Sequence, residues 1–227
     1  MVIGSVREKE GIIDAILKRN NLFLYGPKGV GKTFIVKHVL KETDGKNILY
    51  SKDGATLKTS LIGFLEGDFE NSFLSSQNIL SLKKLFYKKI KKENPYLVFD
   101  HTGRVGPKFF SFIENLLDEY SMLIIARSRH SNEIGDLYLL LYSFDKLEIP
   151  NLNREHAAKL TDYFVKSFNL VIYKPDYFKQ RVFSISCGNP SAIKEICQYA
   201  MESRYKIGEK IYFNLLNLDR EIDSLKL

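Results

Sequence analysis

Two cysteines, six prolines and no tryptophan occur in 227 residues. Cys187 and Cys197 make no Cys-x-x-Cys pair, and no Cys/His cluster has metal-ligand spacing, which removes a disulfide framework, a zinc site and a dithiol redox centre as organising features. Both cysteines are expected to be semi-buried residues of the C-terminal part, since free cysteine behaves as a small hydrophobe. No apolar run approaches the roughly 20 residues that span a bilayer. The opening MVIGSVREKEGII lacks the basic-then-apolar layout of a secretory signal. The chain therefore reads as cytoplasmic, free of membrane and complete at its N-terminus. It also lacks internal repeats and low-complexity tracts.

What is present suits one large domain, or a core with a small appendage. A hydrophobic fraction of 44% is ordinary for a globular chain and allows a sizeable core. Lys and Arg number 34 against 27 Asp and Glu, a formal charge of +7. That excess permits an anionic partner such as nucleic acid without establishing one.

The order of elements carries more. Residues 6–18 place Ile12, Ile13, Ile16 and Leu17 on one helical face. The apolar strand 21–25 (NLFLY) runs into a Gly-rich loop, and Thr33 opens an amphipathic helix that Asp44-Gly45 is expected to end. A second strand follows at 47–52. Helices are expected at 56–65 and 76–92, the latter stopped by Asn94-Pro95. Strand 96–100 (YLVFD), helix 109–120, strand 121–126 (SMLIIA), a helix over 134–142 and strand 146–149 come next. Alternating strands and helices predict an α/β fold with a parallel five-stranded sheet covered on both faces. Past Pro150 the apolar runs read as helical only, at 153–168, 176–186, 190–204 and 207–225. The predicted division is an α/β nucleotide-binding domain over 1–150 and a small helical part over 151–227.

Gly26-Pro27-Lys28-Gly29-Val30-Gly31-Lys32-Thr33 meets the spacing GxxxxGK[ST] in full. Glycines let backbone N–H groups curl around a phosphate without Cβ clashes. Lys32 can reach the β- and γ-phosphate oxygens, and Thr33 can offer a hydroxyl to Mg²⁺. The helix beginning there aims its positive dipole end at the phosphates. A strand before the loop and an amphipathic helix after it are the context such a loop requires. The expected ligands are ATP and Mg²⁺.

An acidic residue on a neighbouring strand is needed to hold the magnesium through water. Asp100 fits, at the C-terminal end of YLVFD, where ligands of α/β sheets gather. The metal candidates are thus Thr33 and Asp100. His101 follows and is a candidate base, since imidazole accepts a proton near neutrality; Glu114 on the next predicted helix is an alternative. After the fourth strand, Arg127 and Ser128 are candidates to contact a γ-phosphate or orient water. In the helical part, Gly188-Asn189-Pro190-Ser191 ends one helix and starts another, with Pro190 suited to the first turn. A helix start beside a nucleotide can pack on its base, and Lys194 is the basic residue within reach of that start.

Taken together, the Arg7-Glu8 opening, LFLYGPKGVGKT, YLVFD, SMLIIARS and GNPSAIKEI resemble the AAA+ superfamily, closest to its origin-recognition and archaeal STAND-like branch, over about residues 5–200. The resemblance implies a three-layer P-loop NTPase sandwich with a small C-terminal helical lid. It implies Val6 and Arg7 near the adenine, Thr33 and Asp100 at magnesium, Ser128 or Arg127 as first sensor and Lys194 as second. Two departures stand out. His101 occupies the place of the usual glutamate, and no Arg precedes the fifth strand, leaving Arg104, Arg127 or Arg129 as candidates for a trans-acting finger. The residues beyond the GNP helix are too few for the winged-helix domain common in that branch.

In LKKLFYKKIKK (82–92), Leu82, Leu85, Phe86 and Ile90 can face a core while Lys84, Lys88, Lys91 and Lys92 point outward, a face that suits a nucleic-acid backbone. The residues 208–227 are apolar enough to pack on the lid or on a partner. The leading expectation is an ATPase that couples ATP binding and hydrolysis to a shape change acting on DNA or a protein–DNA complex. A slowly hydrolysing or non-hydrolysing nucleotide-gated interaction module is the alternative, with a protein partner or a second copy as its target. A small-molecule P-loop kinase ranks third, for want of an Arg cluster after residue 150.

Overall fold

The computed structural model describes residues 4, 6–43, 47–207 and 210–225. They fall into two compact units. Of the described residues, one holds those within 7–27 and 32–149; the other holds Gly4, Val6, the loop segment 28–31 and those from Pro150 on.

The larger unit is a parallel sheet of five strands: β1 (Leu22–Tyr25), β2 (Ile48–Ser51), β3 (Tyr96–Thr102), β4 (Met122–Ala126) and β5 (Asp145–Glu148). Their spatial order is β2-β3-β4-β1-β5. Every pair is parallel. β1, β3 and β4 are buried on both faces and read as continuous apolar runs, as parallel strands covered by helices must. The period of two sorts their side chains. Phe23, Leu97, Phe99, Met122, Ile124 and Ala126 join one core with residues of α3 (Leu57–Leu65), α5 (Ile79–Glu93) and α6 (Pro107–Leu117). The intervening Leu24, Val98, Leu123 and Ile125 are equally buried and face the other way. α1 (Val6–Lys18) and α2 (Lys32–Glu42) cover that second face. A Cβ on Gly11 of α1 would touch Leu147 of β5, and Lys37 of α2 lies over the Tyr50 ring of β2 at 5.9 Å. These layers make the three-layer P-loop sandwich expected from the sequence.

Local signals explain the element ends. Thr56 and Thr59 form a capping box at the start of α3. The Asn78 side chain accepts from Ser81 N at 2.9 Å and starts α5. Asn94, in the left-handed region before Pro95, ends it. The helix expected over 76–92 is α5, which begins three residues later, after the Asn78 cap; a short α4 (Asn71–Ser76), not expected, precedes it. The segment expected as a helix over 134–142 is instead a short α7 (Ser131–Ile134) and a 3₁₀ stretch over Asp136–Ser143. Gly135, at φ 60° and with no room for a Cβ against the Val105 carbonyl, separates them. The helix after the Gly-rich loop begins one residue early, at Lys32, and its expected stop at Asp44-Gly45 lies outside the described residues.

In the second unit, α8 (Arg154–Ser167), α9 (Pro175–Ser186), α10 (Pro190–Tyr199) and α11 (Phe213–Leu225) surround one core that includes Phe178, Val182, Ile193, Ile196 and Leu216. The region is not helical only. α10 stops at Tyr199, and an antiparallel pair, β6 (Lys206–Ile207) with β7 (Lys210–Ile211), precedes α11. Tyr205, fully buried beside the pair, donates to Asp219 at 2.8 Å and ties α11 to it. The cysteines differ from each other: Cys197 is buried, whereas Cys187 ends α9 in the left-handed region and is exposed.

Candidate nucleotide site

The phosphate loop joins β1 to α2, so its backbone N–H groups meet the N-terminus of a helix of 11 residues. Close approach dictates two of its glycines. A Cβ on Gly26 would run into the Ile149 carbonyl, and one on Gly29, at φ 86°, would lie 2.6 Å from Asn189 Oδ1. Lys32 heads α2 and its ammonium reaches back to donate to the carbonyls of Gly26 (2.6 Å) and Pro27 (2.9 Å). Burial holds this ammonium below the ordinary lysine range; Asp100 opposes that shift, and Arg127 adds to it. An ammonium has three donors in all and holds only loop carbonyls here, so it can redirect to phosphate oxygens without breaking a side-chain pair.

Asp100 is the centre of the second cluster. It is 1% exposed. The Thr33 hydroxyl donates to its Oδ1 at 3.1 Å. Tyr50 Oη donates to its Oδ2 at 2.6 Å. His101 N donates to Oδ1 at 2.8 Å, and His101 Nδ1 stands 3.2 Å from the same oxygen. Tyr50, Val98 and Asp100 share the α2 face of the sheet, because Tyr50 is in register with Val98 and the strand alternates. Burial, and then the hydrogen bond and charge of Asp100, push the Tyr50 phenol far above its ordinary value, so it stays a donor.

The β3–β4 register slips between Phe99 and Thr102. One extra residue on β3 makes a bulge, with His101 at φ 56°. The bulge turns the imidazole outward, to 62% side-chain exposure. β3 consequently runs two residues past Asp100, further than the strand expected from YLVFD.

A hydroxyl and a carboxylate oxygen side by side at the head of the phosphate loop are hard donors of the kind magnesium takes, so Thr33 and Asp100 fit that ion. Of the other sequence candidates, Arg127 acts electrostatically on Lys32. The Ser128 hydroxyl accepts from His130 N at 3.1 Å in a local turn. Glu114 is exposed on α6, and Arg104 is exposed. Arg129 stacks over Tyr25 at 5.7 Å. Val6 and Arg7 begin α1 with exposed side chains.

Pro190, Lys194 and the loop residues 28–31 belong to the second unit. Pro190 is the first residue of α10, and Lys194 is exposed one turn on. Sequence reasoning passed over Asn189 and Ser191. The Asn189 side chain caps α10 by accepting from Ser191 N and Ala192 N at 3.1 and 3.3 Å, and its amide donates to the Lys28 carbonyl at 2.8 Å. Ser191 N also approaches the Gly29 carbonyl at 3.2 Å. Asparagine directly before a helix-opening proline was the available sign of the cap; nothing local marked its second bond. Tyr50 was missed too, because its role depends on β2 lying beside β3.

Strand order, loop and helix together are those of a P-loop NTPase. The profile of the AAA domain family matches residues 18–136, more than half of the chain, and the chain belongs to that family. A search of curated proteins found no match. Among solved structures, it is similar to the Orc1 protein of Aeropyrum pernix in complex with DNA (TM-score 0.74, 12% identity, 98% of this chain and 67% of that one). It is also similar to the Orc2 protein of the same organism in ADPNP and ADP complexes (TM-score 0.64, 13% identity, 100% of this chain and 69% of that one). A third likeness is to AMPPCP-bound DnaA from Aquifex aeolicus (TM-score 0.60, 18% identity, 100% of this chain and 68% of that one). No helix among the described residues is long and apolar enough to cross a membrane.

Proposed function

We propose that this chain is a cytoplasmic AAA+ ATPase that binds ATP with Mg²⁺ and couples binding and hydrolysis to a shape change acting on DNA or a protein–DNA complex. Residues 1–150 form its nucleotide-binding domain and 151–227 its helical lid. The carrying observation is the Thr33–Asp100 contact of 3.1 Å beside the Lys32 ammonium, which gathers the cation's donors and the phosphate's counter-charge at one helix N-terminus. Lys32 and the loop N–H groups of 26–33 hold the phosphates. Thr33 and Asp100 hold the ion, which when bound neutralises phosphate charge as it develops. Arg127 meets the γ-phosphate, with Ser128 as the alternative. Val6, Arg7 and Pro190 frame the base, and Lys194 reports the nucleotide to the lid. His101 polarises the attacking water.

The DNA component rests on the four exposed lysines of α5, on the +7 charge and on the DNA held by the Orc1 protein of Aeropyrum pernix. One observation favours a second reading, a nucleotide-gated interaction module that turns over slowly. The imidazole of His101 is drawn through Nδ1 to Asp100 Oδ1 at 3.2 Å, so only Nε2, on a ring the bulge turns outward, is left to take a proton from water. Steady-state ATP turnover with Mg²⁺, with and without duplex DNA, on wild type and His101→Ala separates them. DNA-stimulated turnover that falls about 100-fold or more in the variant, the lower end of what general acid–base catalysis contributes, supports the first reading. Tight binding with negligible turnover in both supports the second.

A further inference from the structure

Phe34 follows Thr33 in the first turn of α2 and is 56% exposed. A phenyl ring left in water forgoes its burial energy, yet this ring is held in place. It lies parallel to the His38 imidazole one turn on, at an interplanar angle of 4° and 6.4 Å between centroids. His38 Nε2 stands 3.2 Å from Glu42 Oε1, and Glu42 in turn takes the Lys9 ammonium of α1 at 2.6 Å. Phe34, His38 and Glu42 recur every four residues and make one flank of the helix. The chain Lys9–Glu42–His38 thus sets the plane of an exposed aromatic ring beside the phosphate loop. The other flank carries the ion site: Thr33 bonds to Asp100 and Lys37 lies over Tyr50, while Ile35, Val36 and Val39 are buried between the flanks.

We propose that Phe34 is a stacking platform for the nucleoside end of the bound triphosphate, and that it makes the site select nucleoside triphosphates over inorganic polyphosphate. The inference rests on the nucleotide reading above. Magnesium bridges β- and γ-phosphate oxygens, so a triphosphate seated on the loop has its γ end toward Asp100 and its nucleoside end directed away from it. Phe34 lies about 100° round the helix from Thr33, on the flank turned away from Asp100. Helical side chains lean toward the N-terminus, which carries the phenyl ring over the loop end of α2. Every nucleobase has a π-face, so an aromatic platform adds affinity without reading the hydrogen-bonding edge of the base. A polyphosphate without a nucleoside gains nothing from it.

The test compares Kd for ATP with Kd for inorganic tripolyphosphate, both with Mg²⁺, by isothermal titration on wild type, Phe34→Ala and Phe34→Trp. The readout is the ratio of the two values, in which the folded fraction of each preparation cancels. Phe34→Ala is expected to reduce the preference for ATP about fivefold or more, the low end of what base–aromatic stacking contributes. Its affinity for tripolyphosphate stays that of the wild type. Phe34→Trp retains the preference. Because the chain has no tryptophan, that variant also carries a single indole reporter, whose emission changes on adding ATP and not on adding tripolyphosphate. An unchanged preference in Phe34→Ala, or an emission that responds alike to both ligands, overturns the platform while leaving the nucleotide reading intact. A wild type that binds no ATP overturns the reading of the site and this inference with it.

Discussion

The Thr33 hydroxyl donates to the Asp100 carboxylate at 3.1 Å, joining the head of α2 to the end of β3 across 67 residues of chain. Each group has a reason to be where it is. Thr33 is fixed by the loop-to-helix junction, and Asp100 by a strand that alternates it onto the α2 face. Asp100→Asn keeps the volume and removes the charge. The magnesium-dependent part of nucleotide affinity is expected to vanish in this variant, while binding in EDTA stays near the wild-type value. Isothermal titration with and without Mg²⁺ reads both; an unaltered magnesium titration removes Asp100 from the site.

The lysines of α5 divide into two groups. Lys89 pairs with Asp68 at 2.6 Å, and Lys83 lies over Phe112 at 5.1 Å, so both serve the fold. Lys84, Lys88, Lys91 and Lys92 are exposed. Changing these four to Gln is expected to weaken binding to duplex DNA uniformly across sequences. It should also reduce the slope of log K against log salt by up to about 3.6, at roughly 0.9 per phosphate contact. Unchanged binding and slope mean that the helix is only a solvated face.

How much of this was readable in advance differs by element. The loop, both strands beside it and the acidic end of YLVFD were legible, because local pattern determines them: glycines at fixed spacing, an apolar run, a capped amphipathic helix. The short α4 with the start of α5 at the Asn78 cap, the 3₁₀ stretch after Gly135 and the β6–β7 pair were not. Each hangs on one cap, one crowded glycine or a two-residue pairing that periodicity over a longer window averages away. Tyr50 and the second bond of Asn189 were illegible for another reason. Both depend on residues distant in sequence being adjacent in space, β2 beside β3 for the one and residue 28 beside residue 189 for the other. The bulge at Asp100-His101 belongs with them, since only the partner strand reveals the extra residue.

Asn189 carries both the cap of α10 and the bond to the Lys28 carbonyl. Asn189→Ala is expected to cost about 1 kcal/mol for the cap. In a chain of this size that corresponds to a fall in apparent Tm of about 2–4 °C, measured by circular dichroism. A Tm at or above the wild-type value contradicts the cap.

The two thiols should differ sharply in reactivity. Burial pushes the Cys197 thiol up to about 12, so at pH 8 it is protonated as well as shielded. Because thiolate is the reactive form and this folded value lies above the ordinary one, the thiolate fraction stays negligible until the pH approaches 12. Cys187 is exposed. Ellman's reagent at pH 8 is expected to titrate one thiol rapidly in the native protein and two after denaturation. Two fast thiols in the native state contradict the packing of α10.

In the proposed site, residues 26–33 hold the phosphates of a nucleotide and Lys32 supplies the charge. The decisive measurement is equilibrium binding of ATP with Mg²⁺ to wild type and Lys32→Ala, checked for equal folding by circular dichroism. Loss of a charge-assisted contact worth about 1.5–3 kcal/mol predicts affinity about 10- to 150-fold weaker in the variant. Equal affinity in the two proteins contradicts the claim, whatever the fold.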